Sequence, residues 1–179
     1  MPLGAARFGL LGGVADLGKL ELIETKDISG VSKSIFSSIQ ESTYNVHLLV
    51  ISDVSFSASS QIRVRLYESG VEETASVYQY AYLLMESTGG FSEIRSTAVN
   101  YMTYTTFNNG QRNQYIYFYN LGDSSKYSFC TTHSSEWDGK NTNIFGSGVL
   151  PQASTVDGIS LTSGTTVSGQ ASLYGIAES

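Results

Sequence analysis

Strict alternation of apolar and polar residues is the feature that most constrains how this chain can fold. Residues 62–67, IRVRLY, place three aliphatic side chains on one side and two arginines and a tyrosine on the other. Successive side chains of a β-strand point to opposite faces of the sheet, so a period of two predicts a strand with one buried face. The same period recurs in 76–86 and 113–121, and no comparable stretch has a helical period.

The pattern extends to about ten short strands separated by turns at roughly 8–12-residue spacing, which favours a sandwich or barrel over alternating strands and helices. A chain of 179 residues suits one substantial domain. We therefore expect an all-β, single-domain antiparallel β-sandwich of the jelly-roll type over residues 19–179. An extended N-terminal arm, residues 1–18, should precede it.

Glycine positions predict several turns, among them the following three. Residues 20–25 and 32–39 should form a hairpin with Gly30 in its loop. Asn108-Asn109-Gly110 should be a second turn, because both Asn and Gly tolerate positive φ. Gly146-Ser147-Gly148 lacks the surrounding pattern of a nucleophile elbow, and we expect a β-turn there.

The predicted arm is rich in glycine, which disfavours a helix, and it is also apolar. Exposed apolar segments need a partner. The arm should lie along its own domain or insert into a neighbouring subunit, through Leu3, Phe8, Leu10 and Leu11. It lacks the features of a signal peptide, and no apolar run approaches the ~20 residues of a membrane span. We expect synthesis in a cytoplasm and no membrane partner.

Charge and cysteine content exclude further classes. The net charge of −6 argues against nucleic acid as a partner, because binding phosphate needs an excess of Lys and Arg. The single Cys130 rules out an intramolecular disulfide, and we expect it to be a small buried residue.

Catalytic and metal-binding motifs are absent from the sequence, so we expect no enzyme activity and no cofactor. Two weaker alternatives remain open. His47 and His133 could meet across a sheet and bind a metal with Glu136 or Asp138. Paired carboxylates such as Glu72-Glu73 could serve a glycosidase, although solvated acids are the ordinary occupants of turns.

Tyrosines recur at strand period in two trios, Tyr78, Tyr80, Tyr82 and Tyr115, Tyr117, Tyr119. Each trio could pack within the sheet, or form an aromatic interface for a subunit or a sugar, since Tyr combines apolar area with a polar tip. Trp137, predicted at a loop tip, could anchor a partner or cap its own core. The candidate interface residues are Leu3, Phe8, Leu10, Leu11, Tyr115, Tyr117, Tyr119 and Trp137.

Three segments together resemble jelly-roll virion proteins of tailed bacteriophages, of the tail-fibre, head-fibre and decoration type. The first segment, Gly4-Ala-Ala-Arg-Phe-Gly-Leu10, is similar to the start of small virion proteins of marine podovirus-like phages. The second is Tyr44-Asn-Val-His-Leu, which leads to Gln61-Ile-Arg-Val-Arg-Leu. The third, Gly158-Ile-Ser-Leu followed by Gly169-Gln-Ala-Ser-Leu-Tyr-Gly-Ile176, is similar to the closing strand "GxxxLYGI" of these proteins. The resemblance implies a structural role in the virion and no catalytic or metal residues.

We therefore expect a non-enzymatic virion structural protein, tail- or fibre-associated or a capsid decoration, which forms homo-oligomers and contacts other virion proteins through its arm and tyrosine-rich faces. A carbohydrate-binding module that recognises host surface polysaccharide is the alternative. A hydrolase acting on capsule or cell wall is a third and weaker hypothesis.

Overall fold

A computed structural model describes residues 19–104 and 110–177, and this part of the chain is built from β-strands and connecting turns without a helix. No helix that could cross a membrane therefore occurs in the described ranges. The strands are β1 (Lys19–Phe36), β2 (Val46–Phe56), β3 (Ile62–Glu68), β4 (Val71–Glu72), β5 (Tyr78–Glu86), β6 (Phe91–Val99), β7 (Thr103–Tyr104), β8 (Gln111–Tyr119), β9 (Tyr127–Trp137), β10 (Asn141–Ala153) and β11 (Val156–Ala177).

Every strand pair is antiparallel, and hydrogen bonds connect the strands in the order β4-β3-β11-β2-β8-β9-β10-β5-β6. Strand β7 adds to the free side of β3, and β1 pairs with β11 along almost its whole length. The fold is thus an all-β antiparallel sandwich of the jelly-roll kind, and the predicted fold class is confirmed.

The long β1–β11 ribbon is shared by both layers of the sandwich. The first part of β11, Val156–Ser163, pairs with β3, whereas the part from Val167 to Ile176 pairs with β2. The larger layer therefore runs from β11 through β2, β8, β9, β10 and β5 to β6. The smaller layer, centred on β3, packs over the inner face of the larger one.

A large apolar core fills most of the space between the layers, and a smaller cluster surrounds Tyr82 and Ile144. Val64 and Leu66 of β3 belong to the same buried cluster as Leu49, Ile116 and Phe118 of the larger layer. Within the smaller layer, the Met102 amide donates to the Val64 carbonyl at 2.8 Å and extends the pairing of β3 with β7. The predicted burial of alternate residues in 62–67 is confirmed.

The predicted hairpin around Gly30 is wrong. Residues 19–36 form one strand, and both of its halves pair with β11 rather than with each other. Gly30 has φ +62° and lies within the shift of register between Ile28 and Val31, so it forms a bulge instead of a turn. The glycine does indicate an unusual backbone conformation with positive φ. The chain nevertheless continues in one direction, because both halves of β1 pair with β11.

The predicted turn at Gly146-Ser147-Gly148 is also wrong, because all three residues lie in the middle of β10. Glycine is needed there since a Cβ on Gly146 would clash with the Ala81 carbonyl and one on Gly148 with the Met102 carbonyl.

Cys130 is fully buried as predicted, and burial raises the pKa of its thiol to about 12. The predicted arm, residues 1–18, and residues Asn108 and Asn109 of the predicted turn lie outside the described residues.

Candidate functional site

The outer face of the larger layer carries an unusual number of exposed aromatic side chains. On β8, Ile116 and Phe118 point into the core, and Tyr115, Tyr117 and Tyr119 point outward, as predicted. Strands β9 and β10 add more aromatic side chains to the same face. Their exposed fractions are 48% for Tyr127, 45% for Phe129, 63% for Trp137 and 42% for Phe145.

Strand register arranges these side chains in three parallel rows that cross the strands. The middle row has small side chains at its centre. From β8 to β6, its successive members are Tyr117, Thr131, Ser147, Ala81 and Arg95. One flanking row consists of Tyr119, Phe129, Val149 and Gln79. The other consists of Tyr115, His133, Phe145, Leu83 and Glu93. Small side chains between two bulky rows make a groove, which we call the aromatic groove.

The groove has the dimensions of a site for an extended ligand. Rows on one face are two residues apart along the strand, so the two flanking rows are separated by roughly 13 Å. From β8 to β6 the groove crosses four interstrand spacings, about 19 Å in all. Hollows of about 650 Å³ beside Tyr117 and Phe145 and about 630 Å³ beside Phe129 and Arg95 lie along it.

Hydrogen bonds and ring contacts hold the tyrosine end of the groove in place. The Tyr115 hydroxyl lies 3.1 Å from Nδ1 of His133, and the two rings meet edge to face at 5.4 Å between centroids. The Tyr119 hydroxyl lies 3.3 Å from Oγ1 of Thr131. Side chains fixed before binding lose little conformational entropy when a ligand arrives, so this end of the groove is preorganised.

Charge is concentrated at the far end of the groove. Arg95 and Glu93 of β6 face each other at 3.8 Å, with 81% and 67% of their side chains exposed. The remaining surface offers aromatic faces, aliphatic edges and neutral hydroxyl groups. Such a lining favours a ligand that has both apolar faces and many hydroxyl groups over a strongly charged ligand.

The predicted interface residues are only partly brought together. Tyr115, Tyr117 and Tyr119 all border the aromatic groove. Trp137 is the last residue of β9 rather than part of the following loop, and it is too exposed to cap the core. It lies four residues, roughly 13 Å, along the strand from His133, outside the groove. Leu3, Phe8, Leu10 and Leu11 lie outside the described residues.

The other tyrosine trio belongs to the interior. Tyr78 is completely buried, and its hydroxyl accepts a hydrogen bond from the Leu66 amide at 3.0 Å. The buried Tyr82 hydroxyl donates to the Met102 carbonyl at 3.0 Å. Tyr80 stacks on Tyr82 with 4.8 Å between ring centroids. Tyr78 and Tyr82 thus join strand β5 to the smaller layer.

The sequence-based metal alternative is wrong in its geometry, because the two histidines are on opposite faces. His47 is buried, with Nε2 2.8 Å from the Ile39 carbonyl oxygen, whereas His133 borders the groove. Glu136 points inward and makes a 3.0 Å ion pair with the buried Arg112. Within the described ranges no three His, Cys, Asp or Glu side chains are grouped as metal ligands would be.

Several groove residues could not be singled out from the sequence. Phe129 and Phe145 form no recognisable motif, His133 is predicted only as a possible metal ligand, and Ser147 is predicted to lie in a turn. The available signal was the alternation in YSFCTTHSSEW, which places Phe129 and His133 on one face. Which strands lie beside β9, and in what register, depends on pairing between distant segments.

Comparison with known proteins supplies no family for this chain. No protein-family model matches it, and no curated protein matches its sequence. Similar solved structures include the galectin LEC-6 of Caenorhabditis elegans, with 13% identity, TM-score 0.39, and coverage of 84% of this chain and 94% of that chain.

A second is a human SPRY domain, with 9% identity, TM-score 0.37, and coverage of 86% of this chain and 94% of that chain. A third is the CBM2 module of the evolved Dit of Lactobacillus casei BL23 phage J-1, with 9% identity, TM-score 0.27, and coverage of 89% of this chain and 80% of that chain. Likeness at this level concerns the β-sandwich architecture alone.

Proposed function

We propose that this chain is a non-enzymatic bacteriophage virion protein whose aromatic groove binds an extended polysaccharide of the host surface. The observation that carries the binding role is the groove itself: a floor of small residues between two rows that contain exposed aromatic side chains. The virion setting comes from the resemblance of the three sequence segments described above.

The chemistry of the groove suits a carbohydrate for two reasons. Sugar rings present apolar C–H faces, which pack on exposed aromatic side chains such as Phe129 and Phe145. Their hydroxyl groups need hydrogen-bond partners, and the hydroxyl groups of Thr131, Ser147 and Tyr117 border the same hollows. An open groove that crosses several strands accommodates an internal stretch of a long chain, without requiring a chain end.

Binding is tested with an array of bacterial capsular and O-antigen polysaccharides, followed by calorimetric titration of any glycan that is retained. Replacing both Phe129 and Phe145 by alanine should weaken binding at least ~100-fold, because such buried aromatic contacts each contribute about 1.5–3 kcal/mol. Trp137→Ala is the matched control, since Trp137 is exposed on the same face outside the groove and should change affinity less than about twofold. A wild-type chain that binds no glycan, or equal losses in the control, would contradict the proposal.

A second candidate is a purely structural subunit of the virion, tail- or fibre-associated or a capsid decoration. The observation that favours it is a separate exposed apolar surface on β1, where Leu20 and Leu22 are 53% and 59% exposed. Both pair with apolar residues of β11, Ile176 and Tyr174. Apolar surface of this kind on a free subunit is expected to be covered in an assembly.

Truncation of Met1–Leu17 tests the assembly role, which the sequence places in Leu3, Phe8, Leu10 and Leu11. Phage particles made with the truncated protein should lack it, as judged by immunoblotting of purified particles. Leu20→Ser with Leu22→Ser tests the β1 surface in the same assay. Normal incorporation of both variants would count against a structural subunit that assembles in this way.

A further inference from the structure

We propose that two copies of this chain associate edge to edge through β6, in antiparallel register centred on Ile94. Strand β6 is the last strand of the sheet, and among the described residues it pairs only with β5. An unpaired sheet edge presents free amide and carbonyl groups, which can pair with a second strand. The occupant is identified by the charges along this edge.

The register of the β5–β6 hairpin shows which backbone groups are free. The Glu86 amide donates to the Gly90 carbonyl at 2.8 Å, so Gly90 is hydrogen-bonded toward β5. Hydrogen-bonded positions alternate in an antiparallel pair. Ser92, Ile94 and Ser96 therefore also point their backbone groups toward β5, whereas Glu93 and Arg95 direct theirs to the free edge.

The free edge is complementary to itself. In an antiparallel pair centred on Ile94, Glu93 of one copy lies opposite Arg95 of the other, and the reverse pair forms by symmetry. Both side chains are on the outer face and strongly exposed, so they can form these cross-strand ion pairs. A register shifted by two residues would place no such pair directly opposite and would instead put Glu93 opposite Glu93, or Arg95 opposite Arg95. The charges thus select both the partner and the register.

Residues at the ends of β6 limit the pairing to its central segment. The register between β5 and β6 shifts between Tyr78 and Tyr80, opposite Ser96–Val99, so the free edge is irregular beyond Ser96. The regular part, Ser92–Ser96, can still form about four intermolecular hydrogen bonds. An interface this short predicts weak, concentration-dependent association.

Pairing about an axis perpendicular to the sheet would place the two outer faces on the same side. The two aromatic grooves would then lie next to each other on one continuous sheet, and a polymer with repeated units could engage both. This consequence rests on the proposed carbohydrate binding, whereas the pairing itself does not.

Cysteine cross-linking tests the register directly. Ile94 faces itself in a non-hydrogen-bonded pair, where the Cα atoms are about 4.5 Å apart, within the range that a disulfide spans. Ile94→Cys should give a covalent dimer under mild oxidation, and Ser92→Cys alone should not. Because Ile94 packs against its own core, the double variant Ser92→Cys/Ser96→Cys provides a second test: these positions oppose each other across the axis. The native Cys130 is buried and should not interfere.

Charge reversal tests the pairing of Glu93 with Arg95. Glu93→Arg and Arg95→Glu should each weaken self-association about tenfold or more, measured by sedimentation velocity of the full chain. An equimolar mixture of the two single variants should restore association, because only the mixed dimer has opposite charges at both sites. The doubly reversed variant should also associate like the wild type.

Three outcomes would overturn the proposal. If the chain remains monomeric at millimolar concentration and neither cysteine variant forms a disulfide-linked dimer, the β6 edge does not pair with a second copy. Dimerisation only after deletion of Met1–Leu17 would assign the edge to that segment. Dimers that are insensitive to all charge reversals form through another surface.

Discussion

Thr131 of β9 and Ser147 of β10 stand directly opposite each other on the outer face, between two rows of bulky side chains. Their small size creates the floor of the aromatic groove. Ser147→Tyr should therefore fill the groove and reduce glycan affinity at least ~100-fold. Stability should change little, because Ser147 is exposed and tyrosine is favourable in a strand. Calorimetric titration and a thermal melt measure the two quantities.

Ser55→Tyr is the matched control for that substitution, since Ser55 is an exposed strand residue that pairs with Ser168, on a distant part of the sheet. It should leave glycan affinity unchanged. If Ser147→Tyr binds glycan like the wild type, the groove is not the binding surface.

The buried ion pair between Arg112 and Glu136 should be important for stability. The two side chains are 1% and 3% exposed, and the Arg112 guanidinium also lies 4.4 Å from the centroid of the Phe56 ring. Glu136→Gln would leave the arginine charge buried without its counter-ion, at an expected cost of about 3–5 kcal/mol in the free energy of unfolding. Urea denaturation followed by tryptophan fluorescence measures this change.

A solvent-accessible pair offers the comparison. Glu24 and Lys26 are 2.6 Å apart, but both side chains are partly exposed. Glu24→Gln should therefore cost less than about 1 kcal/mol. Equal losses in both variants would mean that the interior pair is solvated in solution.

His47 should make stability depend on pH below neutrality. Burial lowers the pKa of its imidazole, because the charged form would lose its hydration inside the sandwich. The unfolded chain therefore binds a proton near the ordinary pKa of about 6.5, whereas the folded chain resists protonation. The contribution is fully present above pH ~6.5 and is lost as the pH falls through the lowered folded-state pKa.

Unfolding free energies measured between pH 7.5 and 5 should decline toward acid, and His47→Gln should flatten that decline. His133→Gln provides the control, since the chain contains only these two histidines. A decline that survives His47→Gln would assign the pH dependence to other groups.

The cost in stability of substituting Gly30 should depend on its backbone conformation alone. Its φ is +62°, and a Cβ at this position would meet nothing within 4 Å. Gly30→Ala should cost about 1–2 kcal/mol for the left-handed conformation, and Gly30→Asn less, because asparagine adopts that conformation more readily. Gly148→Ala should cost more than either, since its Cβ would clash with the Met102 carbonyl. Similar stabilities for all three variants would contradict this account.

The alternation of residues predicted the fold class and the inner and outer faces of individual strands. Residues 62–67 and the tyrosines of β8 are oriented as their period requires, because side-chain direction is a local property of extended backbone. Glycine was less informative. The sequence predicts a turn at both Gly30 and Gly146, whereas the structure has a bulge at Gly30 and the close approach of a neighbouring strand at Gly146.

The groove could not be predicted because it is a property of register between strands. Phe129, Ser147 and Arg95 are far apart in sequence, and only the order β9-β10-β5-β6 aligns their rows. A local pattern contains no information on that order. For the same reason, the sequence draws attention to Trp137, the single tryptophan, and not to Phe145.

Strand β1 pairs with β11 from Lys19 and Ala177 at one end of the ribbon to Phe36 and Ile159 toward the other. This pairing determines when β1 can fold. The first described strand has no partner until the last one has been synthesised, and in the hydrogen-bonded order of the described strands β11 lies between β3 and β2. Closure across such long sequence separations is entropically slow. During translation, β1 should therefore leave the ribosome as an unpaired strand, and in a nascent chain stalled before Val156 the segment Lys19–Phe36 should remain sensitive to proteases.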